Sequence, residues 1–187
     1  MKGKQMDKSV IVSALKKAER GIEQYLEIME LFENVNVSEH KEFQRKYNSF
    51  YRVRQRTKEW YENYYLLMET CKNREVSFDF VIDSIFNATG RYEPSFSSKL
   101  LATVDAQKPI WDVYVLKNTG FTPPPYSARN RVSLAKEAYR SIEDWYKDFL
   151  VSKEGAIWIN LFDENIKISS QISDLKKIDF ILWQIRD

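Results

Sequence analysis

The chain has 187 residues, with 29 Lys and Arg against 27 Asp and Glu for a formal net charge of +2, and 43% of it is apolar. That balance belongs to a globular domain and excludes a disordered chain, and at this length a single domain burying about 70% of the unfolded-chain surface is expected over residues 1–187. Only five Gly and five Pro punctuate it, too few for a sandwich or barrel with a turn every ten residues or so, and the fold class is read as all-α.

The first element is set by Ile11, Leu15, Ala18, Ile22, Leu26, Met29 and Phe32, which step by three and four with charges between them. This spacing predicts an amphipathic helix over residues 7–33 with Asp7 as N-cap. Ser38 is placed to cap a second, long helix, which carries Phe43, Tyr47, Phe50, Arg54, Thr57, Tyr61, Tyr64 and Met68 on one stripe and has a breaking point near Asn48-Ser49. Residues 77–89 form the next helix, capped by Ser77 and ended by Gly90. Pro94 opens another that runs helical over residues 96–104. A short helix over residues 110–118 closes at Gly120, and Pro123-Pro124-Pro125 is a stiff connector. Val132, Ala135, Ala138, Tyr139, Ile142, Trp145, Tyr146 and Phe149 then mark a long amphipathic helix. Ser173-Asp174 caps the last, through Leu175, Ile178, Leu182 and Ile185.

The chemistry open to the chain is narrow. Cys71 is the one cysteine and His40 the one histidine, so an internal disulfide, a thiolate-bound zinc or iron–sulfur cluster and a multi-His site fall away, and no metal or cofactor is expected. No apolar run reaches the ~18 residues of a membrane span. Residues 1–8 read as a polar start and not a signal peptide, so no membrane partner and a cytoplasmic location are the expectation. Charge is uneven: residues 41–58 hold seven Lys and Arg against one Glu, a local sum of +6, whereas residues 59–96 sum to −4 and residues 97–140 to +4. On one continuous helix Lys41, Arg45, Arg52 and Arg56 fall near a single stripe, which reads either as a track for a phosphate backbone or as a solvated face paired with acidic neighbours.

Residues 50–121 carry something more specific. Ile85-Phe86-Asn87-Ala88-Thr89-Gly90-Arg91-Tyr92 ends one helix, Lys99-Leu100-Leu101-Ala102 lies in the next, and Pro109-Ile110-Trp111-Asp112-Val113-Tyr114-Val115 follows. This order resembles the helix-hairpin-helix DNA glycosylase superfamily, in which a Leu-Pro-Gly-Val-Gly hairpin joins two helices and a Pro-Val-Asp-x-x-Val segment comes one helix and a loop later. Tyr92 and Asp112 stand 20 positions apart, close to the family's separation between the residue after the hairpin and its catalytic Asp. Asn87 and Ala88 replace the hairpin's Pro and first Gly, leaving Gly90 and Arg91 on pattern.

The resemblance implies a helix-hairpin-helix glycosylase-like fold in two helical lobes. It also implies double-stranded DNA as partner and hydrolysis of the N-glycosidic bond of a flipped nucleotide. Asp112 would stabilise positive charge on the sugar as the base leaves. Gly90 and Arg91 would hold phosphate at a helix terminus, with Lys41, Arg45, Arg52 and Arg56 steering the duplex. Trp111, Tyr114 and Tyr92 would line the base pocket, since a flipped base needs aromatic neighbours. Bifunctional members carry a Schiff-base Lys after the hairpin; Tyr92 stands there, and Lys99 lies seven residues on, so no lyase activity is implied. The residues themselves leave other roles open. Asp112 suits a helix N-cap, Arg91 a surface ion pair, Trp111 and Tyr114 core packing, and Arg54 an internal cation–π or ion-pair contact. A non-catalytic helical relative that binds DNA or a protein partner is the alternative function, and oligomeric state is left unassigned.

Overall fold

The three- and four-residue spacing resolves into nine α-helices, one 3-10 turn and no strand among the described residues. The structure, a computed structural model, describes residues 6–186, so most of the polar start at residues 1–8 lies outside the described residues. The helices are α1 (Lys8–Asn34), α2 (Lys41–Tyr51), α3 (Lys58–Cys71), α4 (Phe78–Thr89), α5 (Pro94–Val104), α6 (Val113–Thr119), α7 (Arg131–Leu150), α8 (Lys153–Asn165) and α9 (Asp174–Gln184), with the 3-10 turn at Ser169–Gln171. No helix among them is long and apolar enough to cross a membrane.

α1 is the longest scaffold. Asp7 takes the backbone N–H of Ser9 at 2.7 Å, and the buried stripe Ile11, Leu15, Ala18, Ile22, Tyr25, Ile28 and Phe32 packs on α2, α8 and α9. Ser38 is not the cap of α2. Its N–H and hydroxyl turn to Asn36 Oδ1, and His40 Nδ1 accepts from Phe43 N at 3.2 Å instead. The aromatic stripe belongs to two helices. The chain leaves α2 at Arg52, in the left-handed region at φ 55°, and restarts at Thr57, whose hydroxyl accepts from Trp60 N at 3.2 Å. The rings of the two helices then meet: Tyr47 and Tyr64 hydroxyls lie 2.9 Å apart and Tyr65 OH donates to Asn48 Oδ1 at 2.7 Å.

α4 and α5 form a helical hairpin. Gly90, at φ 66°, ends α4 in a conformation that suits a residue without Cβ, and Pro94 opens α5 where its missing N–H has no partner to lose. α8 was not foreseen in the sequence; Ser152 caps it through Gly155 N at 3.0 Å. α9 is buried along its length from Leu175 to Leu182, with Lys176, Lys177 and Asp179 inside that run. It packs on α1, α6, α7 and α8, as a helix covered on all sides must. One connected cluster of buried side chains takes residues from all nine helices, so the core shows no division matching two lobes.

Candidate active site

The segment between α5 and α6 is pinned residue by residue. Tyr139 OH, from α7, donates to Pro109 O at 2.8 Å. The N–H of Ile110 donates to the Asp179 carboxylate of α9, and Trp111 N donates to Ser98 Oγ of α5 at 2.8 Å. Asp112 then caps α6, its Oδ1 accepting from Tyr114 N at 3.0 Å. Three helices thus fix the approach to Asp112, which leaves its carboxylate partly exposed at a set position.

That carboxylate borders a pocket whose walls are Tyr25, Phe50, Phe180 and Trp183, with Lys99, Lys176 and Asp179 among them. Tyr25 meets Phe180 edge-on at 5.5 Å, and Phe50 meets Trp183 edge-on at 5.4 Å. The free space is about 20 Å³, room for about one water molecule. Lys99 is 7% exposed; its ammonium donates to Tyr51 O at 3.0 Å and lies 5.6 Å from the Phe96 ring. Burial pushes its pKa below the ordinary lysine value, the Asp112 carboxylate opposes that fall, and the Arg52 guanidinium adds to it.

Deeper in, Lys176 Nζ lies 2.8 Å from Asp179 Oδ2, and Tyr146 OH donates to Asp179 Oδ1. Burial lifts the Asp179 carboxyl above the usual carboxylate range, against the pull of Lys176, Tyr146 and the Ile110 N–H. The Asp179 carboxylate therefore carries hydrogen bonds on both oxygens, the condition for tolerating a charge in the core. The chemistry on offer is a buried primary amine and a carboxylate facing one apolar pocket. An amine such as Lys99 can act as a nucleophile when neutral, and a carboxylate such as Asp112 can stabilise positive charge.

Among the catalytic, DNA-contacting and base-pocket candidates named from the sequence, Asp112 alone lines this pocket. Arg52, the C-cap of α2, is near enough to shift Lys99. Gly90 lies at the α4–α5 turn with open space around its Cβ position. Arg91 donates from Nε to Glu93 Oε1 at 3.0 Å. Arg56 is tied to the same acid: its NH2 donates to Oε2 at 3.0 Å, and its Nε lies 2.8 Å from Oε1 without hydrogen-bond alignment. Lys41 and Arg45 are exposed on α2. The helix break after Tyr51 removes Arg52 and Arg56 from any stripe shared with them.

Trp111 is buried and parallel to Phe78 at 6.3 Å. Tyr92 is buried edge-on to Tyr126 at 5.3 Å, and Tyr114 sits under the Arg186 guanidinium at 4.7 Å. None of these three rings borders the pocket. Sequence reasoning passed over Lys176 and Asp179 and left Lys99 without a role. The available signal was the i, i+3 pair Lys176 and Asp179 in the Leu175–Leu182 run, where Lys177 is the one other charge.

No family model, curated protein or solved structure matches this chain.

Proposed function

We propose that the chain is a base-releasing enzyme of the N-glycosylase type acting on double-stranded DNA, with the attack made by the Lys99 amine. The observation that carries this reading is the shared pocket of Lys99 and Asp112. A nucleotide flipped from the duplex would enter between Phe50 and Trp183, whose contact must open because the pocket as it stands admits about one water. As the N-glycosidic bond breaks, its electron pair leaves with the base, and the Asp112 carboxylate faces the positive charge left on C1′. Neutral Lys99 then forms the new C–N bond at C1′ and passes a proton to the departing base; the C1′–O4′ bond opens as O4′ takes a proton from water, and water hydrolyses the resulting iminium to free the amine. The lowered pKa of Lys99 raises the fraction of neutral amine. This differs from the hydrolytic, lyase-free reaction expected from the hairpin alone, because the amine reaches the pocket from the second turn of α5.

Borohydride reduction during incubation with a duplex carrying an aldehydic abasic site, run beside a base-release assay on duplexes carrying modified bases, tests it. A covalent protein–DNA adduct lost in Lys99→Met supports the amine mechanism. Base release without an adduct leaves the hydrolytic form, with Asp112 as its central residue. Neither release nor adduct overturns the enzyme reading. A second reading, a non-catalytic DNA- or protein-binding module, is favoured by one feature: Asp112 Oδ1 is already engaged by Tyr114 N as a helix cap.

A further inference from the structure

The chain between α2 and α3 is a short basic turn, Arg52-Val53-Arg54-Gln55-Arg56-Thr57, with two non-glycine residues in the left-handed region, Arg52 at φ 55° and Gln55 at φ 58°. Left-handed dihedrals at Arg and Gln are costly and persist only where the surroundings impose them. Here the carbonyls impose them. Tyr51 O takes the Lys99 ammonium at 3.0 Å and Val53 O takes Tyr61 OH at 3.1 Å. The Arg56 guanidinium donates to Arg54 O at 3.2 Å and Gln55 O at 2.9 Å. Arg56 is itself anchored by Glu93 and lies over Phe96 at 5.0 Å and Trp60 at 5.7 Å.

The carbonyls of Tyr51, Val53, Arg54 and Gln55 are thus all engaged by side chains of the protein. The backbone N–H groups of Arg54, Gln55 and Arg56 donate to no protein group among the described residues. The exposed Arg52 and Arg54 guanidinium groups have no hydrogen-bond or ion-pair partner among them either. The arrangement concentrates cationic and N–H donors on one braced turn, the chemistry of an oxyanion contact. It adjoins the pocket, because Tyr51 and Lys99 both line it.

We propose that residues 52–56 form a phosphate-binding turn for the DNA backbone beside the pocket, with Arg52 and Arg54 as the ionic contacts and the N–H groups of residues 54–56 as neutral donors. The proposal rests on the DNA reading above. It assigns Arg54 to the nucleic acid and Arg56 to the protein, the reverse of what helical spacing suggested.

The test is the salt dependence of binding to a duplex carrying a stable abasic analogue and to the unmodified duplex, measured from about 50 to about 200 mM KCl. Each phosphate contact contributes about −0.9 to the slope of log affinity against log salt. Removing two contacts in Arg52→Ala/Arg54→Ala lowers the slope by about 1.8, so the fourfold rise in salt weakens wild type about twelvefold more than the variant. Arg52→Lys/Arg54→Lys retains the wild-type slope, and all three proteins melt at one temperature. An unchanged slope in the Ala variant overturns the turn's role while DNA binding stands. A reduced slope in the Ala variant, with neither adduct nor base release by wild type in the assays above, retains the turn and overturns the enzyme reading. Wild type that binds neither duplex at low salt overturns both.

Discussion

The Lys99 ammonium on α5 donates to the carbonyl of Tyr51, the last residue of α2, at 3.0 Å, so one buried cation both closes a helix end and borders the pocket. Its titration is the first consequence. Lys99 titrates below 10.5 because burial disfavours the ammonium. Asp112→Asn removes the opposing carboxylate and lowers it further, and Arg52→Ala raises it. NMR of reductively ¹³C-methylated lysines reads all three; a Lys99 value at or above 10.5 would contradict the burial.

The same shift predicts a pH dependence of stability. A depressed amine pKa means that the folded state binds the proton less tightly than the unfolded chain. The cost of burying the ammonium is therefore full below the folded value and is relieved as pH rises from there toward 10.5. Urea unfolding of wild type and Lys99→Met should show wild type gaining on the variant across that window. Parallel curves would sink the prediction.

Lys176 and Asp179 form a charge pair with side chains 2% and 4% exposed. Asp179→Ala leaves the Lys176 ammonium buried without its partner, and also releases Tyr146 OH and the Ile110 N–H. The expected loss is about 3–5 kcal/mol. Lys176→Met in the same chain should return a large part of it, since an apolar side chain replaces the stranded charge. Thermal melts of the single and double variants check the order, and a double variant no more stable than Asp179→Ala would refute it.

The helices were legible where the apolar period was clean and a cap residue stood at its start. Asp7, Ser77 and Ser173 each take the N–H their positions suggested. The break expected near Asn48-Ser49 falls after Tyr51 instead, because the stripe continues through Arg54 and Thr57 while the chain turns through two left-handed residues. What imposes that turn is Arg56 bound to Glu93, 37 positions away. The candidate site was legible only at Asp112. Its partner Lys99 is brought there by the α4–α5 hairpin, and Lys176 and Asp179 come from the far end of the chain. No local pattern reports those approaches.

Gly155 and Gly90 should both lose stability on substitution by alanine, by different amounts and for different reasons. A Cβ at Gly155 would lie 2.0 Å from Phe149 O, a backbone atom, so Gly155→Ala must push α7 and α8 apart and costs about 3 kcal/mol. Gly90 has open space around that position but φ 66°, so Gly90→Ala costs about 1–2 kcal/mol from the dihedral alone. Equal melting temperatures for the two variants would show that the α7–α8 turn yields more easily than its geometry implies.

Asp112 serves two demands that substitution can separate. As N-cap it needs only a short side-chain acceptor for Tyr114 N, and Asn caps about as well as Asp. As the anion facing Lys99 it needs the charge. Asp112→Asn should therefore melt with wild type while lowering the pKa of Lys99 and abolishing any base release. Asp112→Ala should lose about 1 kcal/mol of stability as well. If base release is found and Asp112→Asn retains it in full, the carboxylate is a helix cap and nothing more, and the attack on C1′ would have to proceed on Lys99 alone.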